Sequence, residues 1–140
     1  YKYARRQWNL VDNKELDYHF LGDFDREMLK VIKSERNFIN TEVREIWHND
    51  GDQVLAYMRG DLLFVFNFSP TTSFTDYGFL VPVGSYDVVL DSDNKCFGGN
   101  GFNDDSLTHL TNYDPLYVNE HKEWLKLYLP ARTALVLKKN

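Results

Sequence analysis

Two pairs of neighbouring carboxylates, Asp23 with Asp25 and Asp104 with Asp105, have the residue types that could cleave a glycosidic bond. That reaction needs one carboxyl group as a general acid and a second as a base or nucleophile, facing each other across the bond. Side chains so close in sequence usually point apart, and Asp23 is also placed to cap a helix. We therefore predict no complete active site from either pair.

The other candidate motifs for metal or cofactor binding also fail on residue type or spacing. The acids between Asp91 and Lys95 alternate as in a calcium loop, but Lys95 stands where an oxygen ligand is needed and Cys96 where a glycine is needed. Asx turns explain these acids better. Residues 98–101 lack the spacing and the lysine of a phosphate-binding loop, and the four histidines lack zinc-ligand spacing. We predict no metal and no cofactor.

The composition restricts the possible partners. A net charge of -5 and a pI near 5.3 argue against nucleic acid, which draws on clustered lysine and arginine. No apolar run approaches the ~20 residues of a membrane span, so we expect a soluble protein without a membrane partner. The single cysteine fits a reducing compartment, so we expect a cytoplasmic location. Aromatic residues form 16% of the chain, which suits a β core or surfaces that stack on sugars.

The N-terminal elements are predicted to be two helices. Asp12 and Glu15 have the spacing of a capping box, so a first helix should run to about Leu21, where Gly22 interrupts it. Asp23 should then cap a second helix. That helix is amphipathic, and most of its apolar residues share one face: Phe24, Met28, Leu29, Val31 and Ile32.

From Thr41 onward the sequence has the two-residue period of strands. The most apolar strand lies between Gly60 and Pro70, where Leu62, Phe64, Phe66 and Phe68 alternate with Leu63 and Val65, so its middle should be buried on both faces. In the turn at residues 49–52, Gly51 is placed to take a positive φ. A long polar loop is predicted between Asp91 and Asn119. The other predicted strands are 41–48, 53–59, 74–81, 85–90, 123–129 and 132–138.

These elements predict a mainly β protein, an antiparallel Greek-key β-sandwich with an N-terminal helical segment. In the strand at 123–129, Trp124 and Tyr128 share one face, opposite Leu125, Leu127 and Leu129. One of the two faces could therefore be exposed.

Six runs of sequence, in order along nearly the whole chain, closely resemble the C-terminal end of 1,4-α-glucan branching enzymes of the eukaryotic type. They are YARRQWNLVD (3–12), LGDFDREM (21–28), RGDLLFVFNFSPTTSFTDY (59–77), YDVVLDSD (86–93), FGG (97–99) and YLPARTALVL (128–137).

The resemblance implies a division of the chain and a function. Residues 1–40 would be the end of a (β/α)₈ catalytic barrel, including its last helix, and residues 41–140 the C-terminal all-β domain of the α-amylase superfamily. The family forms α-1,6 branches by glycosyl transfer with three acidic residues of the barrel, and none of these matches a position here. The chain should thus be inactive alone, bracing the barrel and contacting α-glucan such as glycogen or amylose-like chains.

The resemblance and the aromatic residues together nominate a set of glucan-contacting side chains. The first five nominated residues, between Tyr1 and Trp8, would border the glucan cleft of the parent enzyme, because loops after barrel strands face the active site. For Tyr3 and Trp8, packing between barrel and sandwich is the alternative. The other three, Trp47, Trp124 and Tyr128, would stack on glucose rings if the chain were an autonomous glucan-binding module, which is our alternative function. A self-contained glycosidase is a third class, and it requires two opposed carboxylates. The nominated residues are Tyr1, Tyr3, Arg5, Arg6, Trp8, Trp47, Trp124 and Tyr128.

Overall fold

The computed structural model describes residues 7–36, 38–115 and 120–140, which form two helices followed by a β-sandwich. The helices are α1 (Asn9–Asp12) and α2 (Tyr18–Ser34). The strands are β1 (Val43–Asn49), β2 (Val54–Arg59), β3 (Leu62–Asn67), β4 (Phe74–Phe79), β5 (Ser85–Asp91), β6 (Thr108–Leu110), β7 (Asn112–Tyr113), β8 (Glu123–Leu129) and β9 (Thr133–Lys139).

The strands form two sheets that face each other. Six strands make one sheet in the order β1-β2-β3-β9-β5-β6, and three make the other in the order β4-β8-β7. Every strand pair in the described ranges is antiparallel. The chain crosses between the sheets after β3, β4, β6 and β8, so that β9 returns to lie between β3 and β5. The predicted antiparallel β-sandwich with an N-terminal helical segment is confirmed.

The main core lies between the two sheets and comes from the alternating apolar residues of their strands. In β8, Leu125, Leu127 and Leu129 point into the core, and Trp124 and Tyr128 lie on the opposite face, as the sequence predicts. Strands β3 and β9 are the most central, because each is covered on both faces near Leu62, Leu63 and Val136.

Helix α2 covers part of the outer face of the six-stranded sheet. Its residues Phe24, Met28 and Val31 pack on a second apolar cluster that includes Leu62 and Val136. Leu29 was predicted to share this face with Met28, but it is 44% exposed. Successive helical residues are turned by about 100°, so Leu29 points away from the sheet.

The predicted break between two helices is wrong. Helix α2 begins at Tyr18 and runs through Gly22 without interruption, so Asp12 does not start a helix to Leu21, and Asp23 does not cap a second one. A methyl group at Gly22 would lie 3.4 Å from Cγ1 of Val11, which shows that the glycine lets α1 pack closely on α2. Within the described residues, no helix is long and apolar enough to cross a membrane.

Three expectations for the β region also need correction. In the β1–β2 turn the positive φ belongs to Gln53, at 57°, and not to Gly51. The predicted loop from Asp91 to Asn119 contains β6 and β7, which are too short to show a period of two and form by pairing with β5 and β8. Burial of β3 on both faces holds only near α2, and Phe68 beyond the strand is 61% exposed.

Candidate functional site

The neighbouring carboxylates serve local structure and do not form an acid facing a base. Asp23 forms a helical ion pair at 2.6 Å with Arg26. Asp104 accepts hydrogen bonds from the backbone N–H and the hydroxyl of Ser106, at 3.0 and 2.6 Å. Asp105 accepts one from the Asn94 amide at 2.6 Å. These bonds fix turns and a helix surface.

The acidic loop after β5 is held by Asx-type bonding, as predicted. Asp91 is buried, and its Oδ1 accepts the backbone N–H of Asp93 at 2.7 Å. Asp93 in turn accepts the backbone N–H groups of Asn100 and Phe102, at 2.9 and 3.0 Å. Burial raises the pKa of Asp91 to about 6, and the nearby charges of Asp105 and Asp93 add to the rise. Among the described residues, no three His, Cys, Asp or Glu side chains are grouped to hold a metal ion.

Two of the nominated tryptophans line one cleft at the open edge of the sandwich. This cleft, the tryptophan cleft, has a volume of about 410 Å³ and lies between β1, the β1–β2 turn and β4. Trp47 and Trp124 are both in its wall. Its size falls within the ~300–1,000 Å³ of small-ligand sites. Its polar and backbone wall is formed by Asn49, Asp52, Thr75, Asp76, Tyr77 and Gly78.

The indole of Trp124 rests on the glycine of the neighbouring strand. A methyl group at Gly78 would lie 3.3 Å from Cε3 of Trp124, tighter than an ordinary van der Waals contact. Gly78 in β4 pairs with Lys126 of β8, two residues from Trp124, so both groups lie on the outer face of the smaller sheet. The absence of a side chain at Gly78 therefore lets the indole approach the strand closely.

Trp47 is held by a chain of hydrogen bonds across the sandwich edge. Its Nε1 donates to the hydroxyl of Tyr77 at 3.1 Å, and that hydroxyl donates to Oδ2 of Asp52 at 2.8 Å. The Asn49 amide also donates to Oδ2 of Asp52, at 2.9 Å. Burial is the main cause that raises the pKa of Tyr77, so its hydroxyl remains a donor. These hydrogen bonds fix the orientation of the Trp47 indole.

Asp76 sits at an irregularity of β4 and borders the cleft. The pairing of β4 with β8 shifts register between Phe74 and Tyr77. Asp76 has a φ of 52°, in the left-handed region that residues with a side chain adopt uncommonly, although aspartate and asparagine adopt it more readily than most. Such backbone conformations cost about 1–3 kcal/mol and concentrate at functional sites.

A second cleft continues past Trp124 over the smaller sheet. It has a volume of about 430 Å³ and shares Asp76, Gly78 and Trp124 with the tryptophan cleft. Its lysines lie close to acids: Lys126 is 2.7 Å from Asp114, and a second lysine in its wall is 3.0 Å from a glutamate. Trp124 thus stands between two clefts whose polar groups are mainly carboxylates and paired charges.

The structure brings together only part of the nominated set. Trp47 and Trp124 share the tryptophan cleft, whereas Tyr128, on the same face of β8 as Trp124, is absent from both clefts as the described residues form them. Trp8 is 66% exposed beside α1, on the side of the molecule that carries α2. Four nominated residues lie outside the described residues: Tyr1, Tyr3, Arg5 and Arg6.

Sequence reasoning missed the residues that complete the cleft. From the sequence, Asp52 was predicted only to lie in a turn, and Asp76 and Tyr77 only to lie in a strand. Their meeting depends on β1 and β4 lying at the same edge of the two sheets, which no local pattern encodes. Gly78 offered the one local signal, because a glycine inside a strand often marks close approach of another group.

Comparison with known proteins gives two concordant results. Residues 46–140 match the family described as alpha amylase, C-terminal all-beta domain. Nearly the whole chain is similar to proteins named 1,4-alpha-glucan-branching enzyme. It is 41% identical over 140 residues to the one from Saccharomyces cerevisiae, covering 98% of this chain and 19% of that relative.

Two further relatives show the same pattern. The chain is 42% identical over 137 residues to the protein of that name from Emericella nidulans, covering 96% of this chain and 20% of the relative. It is 37% identical over 147 residues to the one from Equus caballus, covering 98% and 20%. The chain thus spans about a fifth of the length of the relatives it matches.

Proposed function

The chain belongs to the alpha amylase C-terminal all-beta domain family, and from that premise we propose that it is the non-catalytic C-terminal part of a 1,4-α-glucan branching enzyme. The resemblance to eukaryotic branching enzymes is confirmed by these relatives. The parent would form α-1,6 branches in glycogen or a similar α-glucan by glycosyl transfer, in a catalytic barrel that residues 1–40 complete and that otherwise lies outside this chain. The role of the chain is to brace that barrel.

The exposed apolar face of α2 is the observation that carries this proposal. Tyr18, Leu21 and Leu29 are 55%, 71% and 44% exposed, and they lie within about 80° of one another around the helix. This exposed stripe borders the covered one, because Met28, which packs on the sheet with Phe24, lies only about 20° from Leu21 around the helix. An apolar surface wider than the part that the sheet covers fits a position between the sandwich and another body.

The sheet beside α2 adds further apolar surface on the same side of the molecule. Rings of Tyr57, Phe64 and Phe66 stack along the outer face of β2 and β3, with centroids 4.8 and 6.0 Å from that of Tyr57. Phe68 continues the row, 5.5 Å from Phe66. At one end of this row, the ring of Phe38 lies 6.2 Å from that of Phe64. The barrel is the occupant we propose for the remainder, since the relatives are about five times longer than this chain.

The junction between the two proposed units is fastened and not a free linker. We propose that residues 1–40 complete the barrel and residues 41–140 form the β domain. At this boundary Arg59 donates hydrogen bonds to the carbonyls of Ile39 and Thr41, at 2.8 and 3.2 Å, and its guanidinium lies 4.3 Å from the ring centroid of Phe38. These contacts would transmit the position of α2 directly to the sandwich.

A chimera tests the bracing role. This chain replaces the matching segment of the Saccharomyces cerevisiae relative, with which it aligns over 140 residues. We expect a soluble chimera with branching activity, and we expect Leu21→Asp with Leu29→Asp to reduce both solubility and activity. Val83→Asp is the control for adding a carboxylate at an exposed apolar residue, because Val83 is 62% exposed in the turn between β4 and β5. Full activity of the double variant, or of a relative truncated before this segment, would refute the bracing role.

A second candidate function is direct contact with α-glucan, either within the parent or as an autonomous binding module. The tryptophan cleft favours it, because two indoles and several carboxylate and amide groups meet there. We also propose a cytoplasmic location, since the single cysteine, Cys96, is exposed and free.

A further inference from the structure

We propose that the tryptophan cleft binds an α-1,4-linked glucan chain, with Trp124 as the stacking platform and Trp47 as the side wall. This inference rests on the proposed function, which supplies the substrate class, and it adds the site. It concerns the face of the sandwich opposite α2, so it is separate from the bracing surface.

Trp124 has the environment that a sugar platform requires. One side of the indole rests on Gly78, at 3.3 Å from a methyl group placed there, and the residue borders both clefts. A glucose ring has apolar C–H faces and a rim of hydroxyl groups, so it stacks on a flat aromatic surface and hydrogen-bonds at its edges. A chain bound over Trp124 would therefore extend from one cleft into the other.

The polar groups beside the platform fit hydroxyl groups and not anions. The tryptophan cleft is bordered by Asp52, Asp76 and the Asn49 amide, and none of the residues in its described wall is a lysine or arginine. In the second cleft, Lys126 already forms an ion pair with Asp114 at 2.7 Å. A phosphate or carboxylate ligand would be repelled, whereas a sugar hydroxyl can donate to a carboxylate in a strong, charge-assisted hydrogen bond.

Two structural features prepare the site in advance. The hydrogen-bond chain from Trp47 through Tyr77 to Asp52 fixes the side wall, with links of 3.1 and 2.8 Å. Asp76 is held at a φ of 52°, a conformation that the local fold must stabilise against its cost. Groups fixed before binding lose little entropy on binding, which favours affinity for a flexible polymer.

Titration of the 140-residue chain with maltoheptaose, followed by tryptophan fluorescence, tests the site. The Trp8→Phe background leaves Trp47 and Trp124 as the reporting indoles. We expect saturable binding at millimolar ligand and a loss of at least about tenfold in affinity for Trp124→Ala. Trp47→Phe keeps an aromatic side wall but removes the donor to Tyr77 and part of the ring surface, and it should weaken binding less. Phe68→Ala, on the opposite outer face and 61% exposed there, should leave affinity unchanged.

Several outcomes would overturn the proposal. If no binding is detected at ~10 mM maltoheptaose, the free energy of binding is weaker than about -3 kcal/mol, and the cleft is not a glucan site. An equal response to cellohexaose would reject selectivity for the α-linkage, and an equal response to tetramethylammonium would indicate a cation site instead. If Trp124→Ala fails to fold, Trp124→Phe replaces it, since the smaller ring offers less stacking surface; unchanged affinity there would also refute the platform.

The two proposals can fail separately. An active, soluble chimera together with a chain that binds no maltoheptaose would reject the glucan site and keep the bracing role. Binding to the isolated chain, together with a fully active Leu21→Asp and Leu29→Asp chimera, would do the reverse.

Discussion

Asp91→Asn should make the fold more stable at neutral pH and leave it nearly unchanged in acid. Asp91 is 2% exposed, and burial is the main cause that raises its pKa from 3.8 to about 6. Each pKa unit corresponds to 1.36 kcal/mol, so the ionised carboxylate costs the fold up to about 3 kcal/mol. A carboxyl group with a raised folded-state pKa destabilises fully above pH 6, and that cost disappears as the pH falls toward 3.8.

The substitution keeps the bonding that the loop needs. An asparagine Oδ1 can still accept the Asp93 backbone N–H, which is 2.7 Å from the present oxygen, and its amide can donate to Asn103 after that side chain turns over. Urea unfolding at about pH 7.5 and about pH 4 compares the ionised and the largely protonated carboxyl group. We expect Asp91→Asn to raise the free energy of unfolding by up to about 3 kcal/mol at the higher pH and by close to zero at the lower.

Asp76→Asn, at an exposed carboxylate, is the matched control for removing one charge. If the difference in unfolding free energy between Asp91→Asn and the unsubstituted chain is the same at both pH values, the linkage argument is refuted. If the variant is less stable than the unsubstituted chain at about pH 7.5, the carboxylate is stabilised by its hydrogen bonds, contrary to this reasoning.

Three further substitutions test how particular residues support the fold and the cleft. Asn67→Ala should lower the free energy of unfolding, measured in urea, by about 3 kcal/mol, because the buried amide donates to three backbone carbonyls at 2.9 to 3.1 Å. A loss below about 1 kcal/mol would contradict this. Gly98→Ala should lower stability by about 1–2 kcal/mol in thermal unfolding, since Gly98 has a φ of 78° and an added methyl would lie 2.8 Å from Cδ2 of Phe20. Asp76→Gly should raise the free energy of unfolding by about 0.5–1 kcal/mol, because glycine adopts the φ of 52° without strain, and it should weaken maltoheptaose binding, because the carboxylate is lost from the cleft. Weaker binding without the gain in stability would mean that the positive φ is not strained.

The sequence predicted those features that depend on local period. The alternation of Leu125, Leu127 and Leu129 with Trp124 and Tyr128 placed one face of β8 in the core, because a strand turns successive side chains to opposite faces. The same argument predicted strand β3 and its burial near Leu62. Residue types alone therefore sufficed for the class of fold and for most strand positions.

Local period failed where the tertiary context decides conformation. Gly22 reads as a helix break, yet the close approach of Val11 makes glycine useful inside α2. Strands β6 and β7 contain three and two residues, so only their partners reveal them. Asn67 read as the end of an apolar strand, but its amide joins the β8–β9 turn across more than 60 positions of sequence.

The tryptophan cleft was beyond local prediction for the same reason, and its position separates the two proposed roles. Trp47 belongs to an edge strand of one sheet and Tyr77 to an edge strand of the other, so their hydrogen bond exists only once the sandwich has closed. Helix α2 packs on the outer face of the larger sheet, whereas Trp124 lies on the outer face of the smaller one. A barrel docked against α2 would therefore leave the cleft open. Under the two proposals, the sandwich would hold a glucan chain on one side and brace the catalytic unit on the other.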